Sequence, residues 1–319
     1  SETCGNRAPA RIGLCRVSVR RHKKKAMIDG TQPLNAFSVD LEDWYQGLTS
    51  TNKQTGRWPE LESRVEEATG VLLSILREHN VRATFFTLGY IADHHPHLVE
   101  KVASAGHEIA VHGYWHRFVS HMTRDEFAKE LDKGIAALFK VTGEHPLGHR
   151  APYFSINART PWAFDVLESR GIRYDSSIFP TRNMLYGYPG APRFPYQIAG
   201  HNLVEFPATT AIFAGRKWPV AGGFYTRALP YEFISRGIRQ VNQLNQPAIL
   251  YVHPWELDTG QTHSQVTFRE RITHYHGRGG LRAKLEKLFS DFRFAPIGDL
   301  PTPDTVMAHT DQGATAVTA

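Results

Sequence analysis

The chain has 319 residues, of which 41% are hydrophobic and 21% charged, and it contains two cysteines. These values are typical of a globular protein that buries its own core, so neither a disordered polypeptide nor a small disulfide-stapled domain is indicated. The formal net charge is +6, but residues 1–29 contain eight basic and two acidic side chains and account for all of it. The remainder is formally neutral, so it has no net basic charge for binding nucleic acid and no nucleic-acid partner is expected.

The basic residues form an N-terminal arm, which we predict to be disordered over residues 1–34. Both cysteines, Cys4 and Cys15, lie in it, so the body has no thiolate for a disulfide or a metal site. The arm lacks the apolar stretch of a secretory signal, and no apolar run is long enough to cross a bilayer. The sequence therefore predicts a cytoplasmic protein without a transmembrane segment, in which Arg20–Lys25 can contact an anionic membrane surface.

Between residues 35 and 300, short β-type runs alternate with helical patterns. The predicted strands are Ala36–Asp40, Ala83–Leu88, Glu108–Val111, Leu147–Ala151, Arg173–Asp175, Leu203–Phe206 and Ala248–His253. The predicted helices are Leu61–His79, Pro96–Ala105, Thr123–Thr142, Pro161–Arg170, Tyr231–Asn242 and Leu281–Asp291. Residues 301–319 lack periodicity and are predicted to be a disordered tail.

Repeated β-then-α order implies parallel strands joined by crossover helices. The helix beginning at Thr123 carries a capping-box pair with Glu126 and ends at Gly143, which supports its bounds. The pattern predicts an α/β fold, namely a distorted or incomplete β/α barrel, with a doubly wound sheet as the alternative.

Carboxylates cluster where the first predicted strand ends. Asp40, Glu42 and Asp43 fall within four residues, and such a run is repulsive unless a cation or proton lies among them. Strand alternation puts Asp40 and Glu42 on one face, whereas Asp43 would lie in the turn. A helix cap or a solvated turn explains the run equally well. Since catalytic groups of parallel β/α folds lie at the carboxyl ends of strands, the position favours a functional site.

Histidines close two other strands. His112 and His116 are separated by four residues, a spacing that one helical turn would present to a single ion. Because the chain has 17 histidines, such a pair also arises by chance. His253 closes an apolar strand and could be tuned as a general acid, although a lone histidine there is more often part of a core.

Two further strand ends carry polar motifs. Arg150 opens an R-x-P-Y motif and could orient a carboxylate, with a surface salt bridge as the alternative. Asp175 opens a D-S-S motif, for which an Asx turn is the alternative. Each signal is modest alone. The order of acid run, H-x-x-x-H, R-x-P-Y, D-S-S and H-P-W-E along one β/α chain is what indicates a common site.

With this ordered set, residues 35–300 resemble the NodB-homology polysaccharide deacetylases, carbohydrate esterase family 4. The segments Ser38–Tyr45, Gly222–Tyr225 and Phe268–Leu300 resemble more narrowly the subfamily of exopolysaccharide loci associated with exosortase and PEP-CTERM systems, in which the last segment is a C-terminal extension. The resemblance implies a distorted β/α barrel and hydrolysis of an N-acetyl amide on a carbohydrate substrate in exopolysaccharide biosynthesis. It also implies a divalent metal, with zinc as the default ion and cobalt as another.

The resemblance assigns a role to each matching position. It implies that Asp40 is the base, that Arg150 orients the base, that His253 is the acid and that Asp175 tunes the acid. Pro152 completes the R-x-P-Y motif at the substrate site, and the backbone N–H of Tyr153 binds the oxyanion. His112 and His116 bind the metal.

Two departures from the family pattern matter. Leu41 stands where the family has a second, metal-binding aspartate, so the metal carboxylate must be Glu42 or Asp43, and same-face alternation favours Glu42. Ser177 stands where a tryptophan is common. The apolar wall of the site is therefore expected from Trp218, Trp255 or a loop tyrosine.

Two other functions fit the same barrel. A NodB-like amidase would cut a small non-peptide C–N bond in a cyclic or ureido compound. A non-catalytic barrel would bind carbohydrate without turnover, but such a protein is expected to lack one of the motifs, and all five motif regions are present here.

Overall fold

Eleven strands of one sheet and a separate two-stranded hairpin organise the chain in the computed structural model. The structure describes residues 32–182, 187–261 and 266–304, and the backbone of residues 306–310 and 313–316. Most of the predicted basic arm, with both cysteines, thus lies outside the described residues. Within the described part of the chain, none of the helices has the length and apolar character needed to span a membrane.

The strands are β1 Leu34–Leu41, β2 Thr84–Thr87, β3 Glu108–Val111, β4 Gly148–His149, β5 Tyr174–Asp175, β6 Tyr196–Ile198, β7 Val204–Glu205, β8 Thr210–Phe213, β9 Arg216–Pro219, β10 Ile249–Val252, β11 Arg293–Ala295, β12 Val306–Thr310 and β13 Gly313–Ala316. The helices are α1 Thr49–Asn52, α2 Val65–Glu78, α3 Gly89–His94, α4 Pro96–Ser104, α5 Arg124–Thr142, α6 Trp162–Ser169, α7 Gly223–Ala228, α8 Tyr231–Asn242, α9 Phe268–Tyr275 and α10 Leu281–Asp291. Short 3-10 turns include Pro152–Phe154 and Pro254–Glu256.

The large sheet has the strand order β10-β1-β2-β3-β4-β5-β7-β6-β12-β13, and β11 also pairs with β1. From β10 to β7 every neighbouring pair is parallel, whereas β6 runs antiparallel to β7. The sheet curls into an open barrel with helices outside it, as crossover connections require. The predicted incomplete β/α barrel is confirmed.

Strand β1 shows how the sheet separates two cores. Phe37, Val39 and Leu41 alternate along it and pack in the main core, which lies between the sheet and the helices. Ala36, on the opposite face, packs inside the barrel with Phe86 of β2 and other apolar side chains. Alternation therefore points Ser38 and Asp40 into the barrel, near its carboxyl end.

Local sequence signals predicted most elements well. The helix α5 begins at a Thr123–Glu126 capping box and ends at Gly143 in the left-handed conformation, both as predicted. The prediction of a disordered tail is wrong for residues 306–310 and 313–316. These form an antiparallel pair, and β12 continues the sheet alongside β6. Their backbone hydrogen bonds to a distant strand are invisible to periodicity.

Gly134 lets α5 approach the end of β3, and we predict that Gly134→Ala destabilises the protein. An added Cβ would lie 2.9 Å from the backbone oxygen of Gly113 and 3.0 Å from a methyl group of Val111. Overpacking against backbone costs about 1–3 kcal/mol, which exceeds the roughly 1 kcal/mol of helix propensity gained. Thermal unfolding would show a lower midpoint. Gly70→Ala in α2 is the matched control, because nothing lies within 4 Å of its Cβ and the midpoint should rise.

Candidate active site

The carboxyl ends of β1, β3 and β10 meet around one cavity of about 140 Å³. Six side chains predicted from sequence line it, namely Asp40, Glu42, His112, His116, Tyr153 and His253. Parallel strands end on the same edge of a sheet, so residues that are distant in sequence converge there. The structure thus brings most of the predicted site together in one place.

Three buried side chains form a group able to hold a metal ion. One ligand atom each from Glu42, His112 and His116 lies within 4.8 Å of the others. Glu42 Oε2 lies 2.7 Å from His116 Nε2, yet this oxygen is buried and accepts no hydrogen bond. A buried carboxylate oxygen without a donor is costly unless a cation compensates it. Bonds from zinc to nitrogen or oxygen are about 2.0–2.2 Å, so the ligand atoms of one ion lie within roughly 4.4 Å of each other. The three atoms here, within 4.8 Å of one another, are close to that spacing.

Two members of this group, Glu42 and His112, are in the protonation states that metal binding requires. Burial raises the pKa of Glu42, but His116, His253 and His112 outweigh it and bring that pKa to about 2. Burial is the main reason that the pKa of His112 falls to about 4. His112 is therefore neutral at pH 7. Its Nδ1 lies 2.7 Å from the carbonyl oxygen of Arg150, which leaves Nε2 as the ligand atom. The residues present fit a divalent ion.

The histidine pair is not on a helical turn, which corrects one sequence expectation. The chain after β3 turns through Gly113 with φ +73° and His116 with φ +53°. Asn52, at the end of α1, donates from Nδ2 to the backbone oxygen of His116 at 2.9 Å. This contact supports a left-handed backbone that residues other than glycine seldom adopt. The ring centroids of His112 and His116 end up 5.1 Å apart.

Asp43 points away from the cavity. Its carboxylate accepts hydrogen bonds from Ser63 Oγ at 2.6 Å, the Arg64 N–H at 3.0 Å and the Trp44 N–H at 2.8 Å. Burial raises its pKa. Asp43 thus links the turn after β1 to the start of α2, and it is outside the Glu42–His112–His116 group. Of the two carboxylates that the sequence left open, only Glu42 reaches His112 and His116.

Arg150 is fully buried and holds Asp40. Its Nη1 donates to Asp40 Oδ1 at 2.6 Å and to Ser38 Oγ at 3.0 Å. Ser176 accepts two more of its hydrogen bonds, and the guanidinium lies 4.1 Å from the Phe86 ring centroid. One oxygen of Asp40 is thereby fixed, while Oδ2 faces His253 Nε2 at 3.8 Å. The alternative of a surface salt bridge for Arg150 is wrong.

His253 lies among three carboxylates. Its Nε2 is 3.7 Å from Glu42 Oε1, and its Nδ1 is 2.5 Å from Glu256 Oε1. Burial lowers the pKa of His253, but Glu256, Glu42 and Asp40 together raise it to about 9. Glu256 is itself paired with Arg227 at 2.9 Å, and although burial raises the pKa of Glu256, Arg227 and His253 bring it below its ordinary value. His253 therefore carries a proton at neutral pH.

Asp175 does not contact His253, and the role implied by the resemblance is corrected here. Asp175 Oδ1 accepts from His149 Nδ1 at 2.7 Å and from Ser177 Oγ at 2.6 Å. Ser177 in turn accepts from the Ala151 N–H. The D-S-S motif therefore supports the R-x-P-Y turn from beneath the cavity. Within that turn Pro152 is buried, and Tyr153 has φ +57° and stacks on Phe118 at 4.0 Å.

Glu205 beside Asp175 gives a pH-dependent stability prediction. Burial and Asp175 raise the pKa of Glu205 far above its ordinary value. Glu205 Oε2 and Asp175 Oδ2 are both buried without a donor, so one proton between them satisfies both. The contribution of this proton to folding stability is full below the pKa of Glu205 in the unfolded chain, about 4.3. It is lost as pH rises toward the pKa of Glu205 in the folded protein, by up to about 1.4 kcal/mol per pH unit.

We therefore expect Glu205→Gln to flatten this dependence, because its amide donates without ionising. Melting curves from pH 6 to 9 should show a smaller fall in midpoint for Glu205→Gln than for the wild type. Equal slopes would contradict the shared proton.

The apolar wall of the cavity comes from Trp255. This side chain lines the cavity, donates from Nε1 to Glu42 Oε1 at 3.1 Å and stacks on His274 at 4.0 Å. Trp218 is on β9, is 42% exposed and is not a lining residue. Glu256, Arg227 and Asn52 were not among the site residues predicted from the sequence. Only Glu256 could have been found from the H-P-W-E motif, because a turn beginning at Pro254 brings residues three apart, here His253 and Glu256, into contact.

Comparisons with known proteins point to one family of enzymes. Residues 59–174 match the family model described as Polysaccharide deacetylase, and residues 176–301 match one described as a domain of unknown function, DUF3473. A peptidoglycan-N-acetylglucosamine deacetylase of Bacillus cereus is 29% identical over 150 residues, which cover 43% of this chain and 54% of the relative. A peptidoglycan-N-acetylmuramic acid deacetylase of Bacillus subtilis is 27% identical over 117 residues, which cover 36% of this chain and 43% of the relative.

A solved structure extends the likeness to both matched segments. It comes from Mycobacterium smegmatis, is assigned provisionally to the polysaccharide deacetylases, and superposes with a TM-score of 0.55 at 26% identity. The alignment covers 85% of this chain and 89% of that one. By contrast, the alignments to the two curated relatives span about half or less of their length.

Proposed function

The chain belongs to the NodB-homology polysaccharide deacetylase family, carbohydrate esterase family 4, and from this we propose that it is a metal-dependent hydrolase removing N-acetyl groups from an N-acetylated sugar or polysaccharide. The observation that carries the proposal is the cavity in which Asp40, held by Arg150, and His253 face the Glu42–His112–His116 group. A base, an acid and a metal site within a few ångströms are what amide hydrolysis needs.

Glu42, His112 and His116 would hold the ion, with zinc as the first choice and cobalt as another. When bound, the ion supplies Lewis-acid chemistry by polarising the acetyl carbonyl and lowering the pKa of water. Three protein ligands leave positions open for these groups.

Asp40 and His253 divide the proton transfers. Asp40 removes a proton from the attacking water through Oδ2, because Arg150 occupies Oδ1. His253 gives its Nε2 proton to the departing amine as the C–N bond breaks. The Tyr153 backbone N–H stabilises the oxyanion, and Trp255 covers the acetyl methyl group.

We propose further that the natural substrate is an exopolysaccharide or its precursor. Support for this comes from the subfamily-like segments Ser38–Tyr45 and Gly222–Tyr225. Relatives named for two different peptidoglycan sugars indicate that the family framework accepts more than one acetylated sugar.

The test is acetate release by the zinc-loaded protein. N-acetylglucosamine oligomers, acetylated exopolysaccharide fragments, peptidoglycan fragments and small cyclic or ureido amides should be assayed side by side. Release from acetylated glycans that is lost in His116→Ala supports the proposal. Turnover of small amides alone would favour the amidase, and bound ion with glycan binding but no release would favour a binding barrel. Wild-type rates in His116→Ala would overturn the metal role.

A further inference from the structure

His253 is held through Nδ1, the ring nitrogen that faces away from Asp40 and Glu42. Its Nδ1 lies 2.5 Å from Glu256 Oε1, while Nε2 faces Asp40 and Glu42 at 3.8 and 3.7 Å. An imidazole whose Nδ1–H donates to a carboxylate has its ring plane and its free nitrogen fixed. Glu256 is fully buried, on the 3-10 turn that begins at Pro254. The contact therefore aims Nε2 at Asp40 and Glu42.

Arg227 fixes Glu256 in turn. Its Nε donates to Glu256 Oε2 at 2.9 Å, so each oxygen of this carboxylate has its own partner. Arg227 is 3% exposed and also donates to backbone oxygens at the end of α9, including that of Thr273 at 2.7 Å. A buried ion pair with its remaining donors satisfied is rigid, and breaking it leaves an uncompensated charge.

Two glycines make room for this arrangement. A Cβ on Gly223 would lie 1.6 Å from Glu256 Oε1, so any larger residue would displace the carboxylate. Gly222 has φ +97°, and its Cβ would lie 2.7 Å from the Tyr251 hydroxyl. The Gly222–Tyr225 segment, noted in the sequence only as a subfamily likeness, thus has a physical function. It lets the start of α7 close over Glu256.

The geometry points to Glu256, anchored by Arg227, as the positioning residue for the catalytic His253. This inference rests on the proposed function. It gives Glu256 the place that the resemblance implied for Asp175, which is committed to His149 and Ser177. Arg227, His253 and Glu256 all lie within residues 176–301, so the segment matched to a domain of unknown function supplies the acid of the site and its support.

Glu256→Gln tests the inference kinetically. The amide keeps the size of the side chain but loses the charge, and we expect kcat to fall about 10- to 100-fold with KM unchanged. Glu168→Gln is the matched control, since Glu168 contacts His201 Nδ1 at 2.8 Å on the outside of the barrel. That variant should keep wild-type kcat. A Glu256→Gln kcat within twofold of wild type, in an active preparation, would overturn the inference.

A proton NMR measurement tests the contact without turnover. The wild type should show a downfield imidazole N–H signal that disappears in His253→Gln, which assigns it, and also in Glu256→Gln but not in Glu168→Gln. Absence of this signal in the wild type would overturn the inference even if Glu256→Gln does not fold. A wild type that shows the signal but releases no acetate from any substrate would instead contradict the proposed function, leaving the positioning contact intact.

Discussion

Asp40→Asn is expected to lower kcat for deacetylation by about 10²- to 10⁴-fold while the bound metal content stays unchanged. Asparagine has the size of aspartate, so Arg150 Nη1 and Ser38 stay in place, but the amide cannot accept the proton of the attacking water. Asp40 is outside the Glu42–His112–His116 group, which is why metal binding should survive. Rates of acetate release and metal analysis on the same preparation separate the two properties.

Asp40→Asn also removes the negative charge that pairs with Arg150, so a second variant is needed as a control. Asp132 pairs with Arg170 at 3.0 Å on the outer side of α5, so Asp132→Asn removes the same charge from a more exposed ion pair far from the cavity. We expect that variant to keep wild-type kcat. A folded Asp40→Asn protein that retains half of the wild-type kcat would show that Asp40 is not the base.

The parts of the fold that sequence predicted well depend on neighbours in the chain. A capping box at Thr123, a left-handed Gly143 and a helical stripe are local signals, and the structure has α5 where they place it. The strand ends were predicted for the same reason, since apolar runs interrupted by Asp40, His112 or His253 mark where a strand leaves the core. Convergence then follows from parallel topology.

What sequence could not predict depends on contacts between distant residues. Whether Glu42 or Asp43 faces the cavity is decided by Ser63 and Arg64, which bind Asp43 from about twenty residues away. The spacing of His112 and His116 suggested a helical turn, but Asn52 supports a left-handed backbone instead. Alternation favoured Glu42, and the structure places Glu42 rather than Asp43 beside His112 and His116.

The assignment of Asp175 failed for a related reason. A motif match carries a residue type to a position but not its hydrogen-bond partners, and His149, immediately before Arg150, takes the carboxylate. Glu256 is visible in the sequence as the last residue of the H-P-W-E motif, but nothing near it indicates that a buried carboxylate would stay ionised there. The ion pair with Arg227 and the space left by Gly223 make this possible, and both of these residues lie on α7.

The choice between the two carboxylates gives the second large effect. Glu42→Gln should weaken zinc binding by more than 100-fold, beyond the 10- to 100-fold typical of residues that only support a ligand, and should abolish acetate release. Competition with a chelator followed by metal analysis measures the affinity. The amide retains the hydrogen bond from Trp255 Nε1 but carries no charge to offset the ion.

Asp43→Asn is the matched comparison one residue away. Its carboxylate accepts from Ser63 and two backbone N–H groups, so the amide leaves at least one buried donor poorly matched and costs about 1–3 kcal/mol of stability. Zinc affinity should stay within a few-fold of wild type. The reverse pattern, with Asp43→Asn losing the metal and Glu42→Gln retaining it, would mean that the turn after β1 rearranges when the ion binds. Because the two substitutions remove the same charge on adjacent residues, a difference in zinc affinity reports which carboxylate touches the ion.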